Sequence, residues 1–341
     1  MRVIVHAGMP KTGSSAIQAS MSQLDAPGLA YLPSPGLNPG PVLATLFEDR
    51  PEQHRAFAFR PNPAAAVENI RAKWLPQIEE ALSENGAETV LVSSERIFNV
   101  PPEVKQRMHD FFAARRADVS CIVYVRPAAS YLSSAFQQNA AAGDGPLALD
   151  KVWPRYRQRI GALDRAFGRG KVDAVKFDRA CLHGGDAVLD FAHRIGVHMP
   201  EDKLVNVNES RPLQAIAVLY AIRRLREDGA KLPRLAPRDQ ADLSTTLAAL
   251  GADKFSLAPA LIEPVMAQFS DDLAWIEERL GQPMGEMPKA TGNAIASTDQ
   301  LMDIAREQRQ ALSELLAANT EGQEGALPPH LDLMKRVLAL L

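Results

Sequence analysis

Apolar and polar positions along this chain fall into two regimes. Up to about residue 210, short apolar runs rich in β-branched residues alternate with longer amphipathic stretches. The runs Arg2–His6, Thr89–Ser93, Val119–Val125 and Val172–Phe177 lack the in-out alternation of half-exposed strands, so they predict strands covered on both faces. Helical periodicity covers about Gly13–Leu24, Ala64–Ser83, Pro102–Arg115, Ala128–Ala141 and Val152–Phe167. Strands alternating with helices predict an α/β fold with a parallel sheet and right-handed crossovers. After residue 210 the pattern is helical: Pro212–Asp228, Pro237–Leu250, Pro259–Leu280, Thr298–Asn319 and Leu331–Leu341. The pattern therefore predicts an α/β core over 1–210 and a helical extension over 211–341. Pro27–Pro63 interrupts the core; it holds eight of the chain's 25 prolines and little periodicity, and reads as a long irregular insertion.

Composition narrows the function classes. The 341 residues are 46% hydrophobic and 23% charged, with a net charge of −3, so no global basic field argues for nucleic acid. Cys121 and Cys181 are far apart and form no metal-type or redox pair, a usage that fits a reducing cytoplasm. Cys121 lies in a strand-like run and reads as a buried thiol. The N-terminus shows no signal peptide, and no stretch approaches the roughly 20 apolar residues of a membrane span. A cytoplasmic protein is expected. No constellation of metal ligands stands out along the sequence, so no metal is expected, and oligomeric state is not legible.

The chemistry is concentrated in the first fifteen residues. A short apolar run is followed at once by Gly8-Met9-Pro10-Lys11-Thr12-Gly13-Ser14-Ser15 and then by a helical pattern. A turn between strand and helix presents backbone N–H groups and the positive end of the helix to an anion, and Lys11 adds a full charge. The nucleoside-triphosphate loop G-x-x-x-x-G-K-[ST] is not matched, because Gly8 is too close to Lys11 and the lysine precedes Gly13. The other strand ends carry Glu95 and Arg126, and ligands of such folds bind beyond the carboxyl ends of the strands.

The order Pro10-Lys11-Thr12-Gly13-Ser14-Ser15 resembles the 5′-phosphosulfate loop of sulfotransferases that use 3′-phosphoadenosine 5′-phosphosulfate (PAPS). Its common form is Pro-Lys-Thr-Gly-Thr-Thr. A second element resembles the same family: a strand ending in Arg126, with Ser134 eight residues later on the next helix, matching the pair that binds the donor's 3′-phosphate. Arginine presents a planar fork suited to phosphate oxygens. Leu91–Glu95 and Val207-Asn208-Glu209-Ser210 are similar to runs of the bacterial branch. The resemblance covers about residues 1–210. It implies a P-loop-like sulfotransferase fold, with PAPS as co-substrate and no metal. The donor would be held by Lys11, Thr12, Gly13, Ser14, Ser15, Arg126 and Ser134. Bacterial relatives of this kind often sulfate glycans or lipid-linked sugars, which implies a carbohydrate or glycolipid acceptor. One departure is clear: the late Arg-Lys-Gly run of many eukaryotic members has no counterpart after residue 250.

Catalytic roles follow from the same positions. Lys11 would stabilise the leaving phosphate. Glu95, at the end of an apolar strand, is the candidate base; His6, beside the loop, is the second candidate for its suitable ordinary pKa, although a place in the core accounts for it more readily. Asn208 and Ser210 are further candidates for lining the site, and the basic runs Arg155–Arg159 and Arg223–Arg226 read mainly as solvated helix faces. Two other functions remain open from the residues alone: a kinase of a small metabolite, with Glu95 on the metal side, and a non-catalytic nucleotide-binding protein.

Overall fold

A computed structural model describes residues 1–83, 87–115, 117–143, 145–205, 211–287, 293–322 and 325–341. Its strands are β1 (Arg2–Ala7), β2 (Leu29–Tyr31), β3 (Thr89–Ser94), β4 (Asp118–Val125) and β5 (Val172–Lys176). Helices of the first two hundred residues are α1 (Ser14–Ser22), α2 (Gly40–Phe47), α3 (Pro63–Ala81), α4 (Glu95–Asn99), α5 (Pro102–Ala113), α6 (Ala128–Ala142), α7 (Tyr156–Phe167) and α8 (Ala187–Ile195). Helices then follow one another: α9 (Leu213–Glu227), α10 (Pro237–Leu247), α11 (Pro259–Gln268), α12 (Ser270–Leu280), α13 (Thr298–Glu307), α14 (Arg309–Thr320) and α15 (Pro329–Leu338). This is an α/β protein with a parallel sheet flanked by helices and a helical C-terminal part, as the hydrophobic pattern predicts.

The sheet order is β2-β3-β1-β4-β5, and all its pairings are parallel. β1 is central, with His6 opposite Ser93 on β3 and Ile122 on β4. One face of the sheet carries Ile4, Leu91, Ile122, Tyr124 and Val175, which pack on Ile17 and Met21 of α1 and on Val188, Phe191 and Ile195 of α8. The alternate residues Val3, Val5, Val90, Val92 and Val123 are also buried and point the other way, the side of α5 and α7. Burial on both faces explains the unbroken apolar runs. Cys121 is a free, buried thiol in this core, and burial pushes its pKa up to about 12.

By contacts, the chain forms two compact units. The first takes Met1–Pro127, Arg155–Val207 and Asp271–Met284, and contains the sheet. The second takes Ala128–Pro154, Asn208–Ser270 and Gly285–Leu341. In it, α9 packs on α13, α10 packs on α6 and α15, and aromatic stacks (Phe136 on Phe255, Trp153 on Phe269) fill the interior.

The proline-rich segment differs from the irregular insertion expected. It contributes the edge strand β2 and the apolar helix α2, whose Val42, Leu43, Ala44 and Phe47 are buried. Arginines from neighbouring helices cap the carboxyl end of α2: Arg71 Nε donates to Thr45 O at 3.1 Å and Arg107 Nε to Phe47 O at 2.8 Å. Prolines here start elements as well as loops, since Pro41 lies in the first turn of α2, where no amide donor is needed. Two further long helical patterns, Pro259–Leu280 and Thr298–Asn319, are each broken once, at Phe269 and Gln308.

His6 belongs to this core. Its ring is inaccessible, packed on Tyr124 and Phe191, with Nδ1 2.7 Å from Ser93 Oγ. Burial lowers its pKa from 6.5 to about 3. The unfolded chain therefore takes up a proton at His6 that the folded chain refuses. Stability supplied by the neutral ring is present above pH 6.5 and is lost as pH falls toward about 3, by at most ~1.4 kcal/mol per pH unit. Urea unfolding at pH 7 and pH 5 should show a larger loss of stability in the wild type than in His6→Gln; equal losses contradict this placement.

Candidate active site

The turn after β1 is shaped by its own backbone. Gly8 N–H donates to Ser94 O at 3.3 Å, which ties the loop to the end of β3. Thr12 is buried, and its hydroxyl donates to Met9 O at 2.7 Å across the turn. Lys11 (φ 65°) and Gly13 (φ 76°) both lie in the left-handed region. Gly13 suits it; for Lys11 it costs about 1–2 kcal/mol. Gly13 is the N-cap of α1 and offers no side-chain cap, and the first turn carries no acidic residue. The N-cap residue of α1 thus supplies no side-chain acceptor, and the first turn of the helix supplies no negative charge.

Neighbouring strand ends close on this turn. Ser94 caps α4, its Oγ accepting from Arg96 N–H at 3.2 Å, so Glu95 stands at the first position of that helix. A Cβ at Gly8 would overlap Ser14 Oγ and lie 3.3 Å from Glu95 Cγ, so Glu95 and Ser14 both press on Gly8. From the other side, Arg126 Nη1 donates to Lys11 O at 2.6 Å. Arg126 is itself held at its backbone: its N–H donates to Met9 Sδ at 3.4 Å and its carbonyl accepts from Tyr156 Oη at 2.7 Å. The carboxyl ends of β1, β3 and β4 thereby gather Lys11–Ser15, Glu95 and Arg126. Lys11, Gly13, Ser15, Glu95 and Arg126 are half-buried, whereas Thr12 and Ser14 are buried.

Ser14 Oγ is inaccessible and has no hydrogen-bond partner among the described residues. A buried hydroxyl without an acceptor costs about 1–3 kcal/mol. His6 is different: its imidazole is neutral, sealed under the sheet's helix layer, and shut off from solvent. Ser134 lies half-buried on α6, in the second unit. Val207, Asn208, Glu209 and Ser210 lie outside the described residues.

Residues that the sequence reading passed over frame the same turn. Phe177 follows β5 and lies 5.9 Å from the Arg126 guanidinium; its ring edge is 3.9 Å from where a Gly13 Cβ would stand. Asn38, from the proline-rich segment, accepts from Ser94 Oγ at 2.8 Å and from Gly40 N–H at 2.9 Å. Arg96 pairs in bidentate fashion with Glu48 of the same segment. Strand-end position was the available signal for Phe177; Asn38 had none. The run Arg223–Arg226 is partly spent on structure, with Arg223 donating to Asn139 O at 3.0 Å and to Gly145 O at 2.6 Å.

The strain at Lys11 gives a separable test. Lys11→Gly should raise thermal or urea stability by about 1 kcal/mol, because glycine adopts the left-handed backbone freely. Lower stability in Lys11→Gly contradicts the reading of the turn. Gly8→Ala should lower stability, since Ser14 and Glu95 would have to move.

No protein-family model matches this chain. No curated protein matches it either. Among solved structures it is similar to a sulfotransferase from Alicyclobacillus acidocaldarius, with a TM-score of 0.45 and 14% identity over 83% of this chain and 96% of that one. A likeness at this level carries no argument about chemistry, which rests on the residues themselves.

Proposed function

We propose that this protein is a PAPS-dependent sulfotransferase, transferring a sulfuryl group to a hydroxyl or amine of an acceptor, with a carbohydrate or glycolipid as the acceptor class. The observation that carries the reading is the reach of Arg126 to the Lys11 carbonyl, which sets a guanidinium beside the turn that would take the 5′-phosphate. The donor differs from ATP in having a 3′-phosphate, and Arg126 is the group suited to it. Ser134 enters this reading by its sequence spacing from Arg126.

In the reaction, the acceptor oxygen or nitrogen forms a bond to sulfur as the bond from sulfur to the 5′-phosphate oxygen breaks. The electron pair leaves with adenosine 3′,5′-bisphosphate. Positioning and charge stabilisation carry most of such a transfer. Lys11 supplies positive charge to the leaving phosphate. Backbone N–H groups of Thr12–Ser15 and the hydroxyl of Ser15 hold its remaining oxygens. Glu95 takes the acceptor proton. His6 holds Ser93, and so the end of β3 next to Glu95, and stays out of proton transfer because of its burial.

Transfer of 35S from labelled PAPS across a panel of hydroxyl and amine acceptors tests this. Lys11→Ala should lower turnover by about 10²–10³-fold, as loss of one preorganised charge-stabilising group does. Glu95→Gln should lower it by about 10²–10⁴-fold. Arg126→Ala should raise the donor KM. Full activity in Glu95→Gln moves the base elsewhere, and Mg²⁺-dependent phosphoryl transfer from ATP would replace this reading with a kinase.

A further inference from the structure

The second unit contains a convergence of metal-ligating side chains that sequence separation conceals. Asp239 and Asp242 are three residues apart on α10, so they share one helix face. His330 stands in the first turn of α15, and α15 packs on α10. One donor atom from each of the three lies within 4.8 Å of the other two. Asp239 and His330 are half-buried, and Asp242 is exposed. His330 Nδ1 has no contact with solvent and no hydrogen-bond partner among the described residues, so the ring has an unmet polar demand.

We propose that Asp239, Asp242 and His330 form a divalent-cation site that ties α10 to α15. Ligands at about 2.1 Å from one ion stand roughly 3–4 Å apart, so the three donors need shifts of less than about an ångström to share it. One imidazole and two carboxylates make a mixed nitrogen and oxygen set. That set suits a first-row ion such as Zn²⁺ above Mg²⁺ or Ca²⁺, which prefer oxygen alone. Exposure of Asp242 leaves room for water to complete the coordination. The ion brings opposite charge to two neighbouring carboxylates and a partner to a ring nitrogen. It links segments about ninety residues apart, where a cross-link limits the unfolded chain most. The site is independent of the sulfotransferase reading.

Calorimetric titration of the full chain, stripped with a chelator, with Zn²⁺ alone and with Mg²⁺ alone tests this. One equivalent of Zn²⁺ should bind and raise the melting temperature, with Mg²⁺ far weaker. Changes outside the ligand set cost about 10–100-fold in affinity, so His330→Gln or Asp242→Asn should weaken Zn²⁺ binding at least about 100-fold. Asp242 is exposed, so Asp242→Asn keeps the comparison available should His330→Gln fail to fold. No Zn²⁺ binding by the wild type overturns the proposal. So does equal affinity in Asp242→Asn, which would place the ion elsewhere, at Cys181 for example.

Discussion

Everything at the candidate site depends on holding one short turn open between β1 and α1. The chain leaves the centre of a parallel sheet and turns at once into a helix, with Lys11 and Gly13 in left-handed backbone. Only an over-determined surrounding sustains that at a lysine. Here it comes from three directions: Thr12 bonded to Met9 within the turn, Gly8 bonded to the end of β3, and Arg126 bonded to the Lys11 carbonyl from the end of β4. The same bonds that hold the turn bring Glu95 and Arg126 to it. Fold and site are one arrangement, because the carboxyl ends of adjacent parallel strands open on the same side of the sheet.

Two titratable groups lie far apart in sequence but near the ends of the neighbouring strands β1 and β3, in different surroundings. Glu95 is half-buried at a helix start, where a carboxylate is favoured by the helix dipole. His6 is fully buried, and desolvation keeps it neutral. Lys105 shows the same physics outside the site. It is almost fully buried, donates to Phe98 O and Val100 O at the end of α4, and has its pKa lowered to about 8 by burial. Those bonds satisfy the last carbonyls of the short helix that carries Glu95.

Much of the sheet was legible in the sequence because strands buried on both faces are written as unbroken apolar runs. β2 was not, since its three residues, Leu29–Tyr31, are too few for any period and pair only at an edge. α2 was hidden by its flanking prolines and by being apolar on nearly every side. α8 was legible in principle: Asp186 caps it, Gly196 ends it, and Val188, Phe191, Ala192 and Ile195 mark its buried face. That Lys11, Glu95 and Arg126 meet at the carboxyl edge of the sheet was legible because strand ends are readable. Their dependence on Tyr156 and Asn38 was not, because those contacts join elements whose packing no local pattern encodes. The cluster of Asp239, Asp242 and His330 escaped for the same reason.

Calorimetric binding of adenosine 3′,5′-bisphosphate and of ADP to the wild-type chain and to Arg126→Ala tests the central claim most directly. The account predicts clearly tighter binding of the 3′,5′-bisphosphate by the wild type, and loss of most of that preference in Arg126→Ala. Equal affinity for the two nucleotides in the wild type, or an unchanged preference in Arg126→Ala, would contradict it.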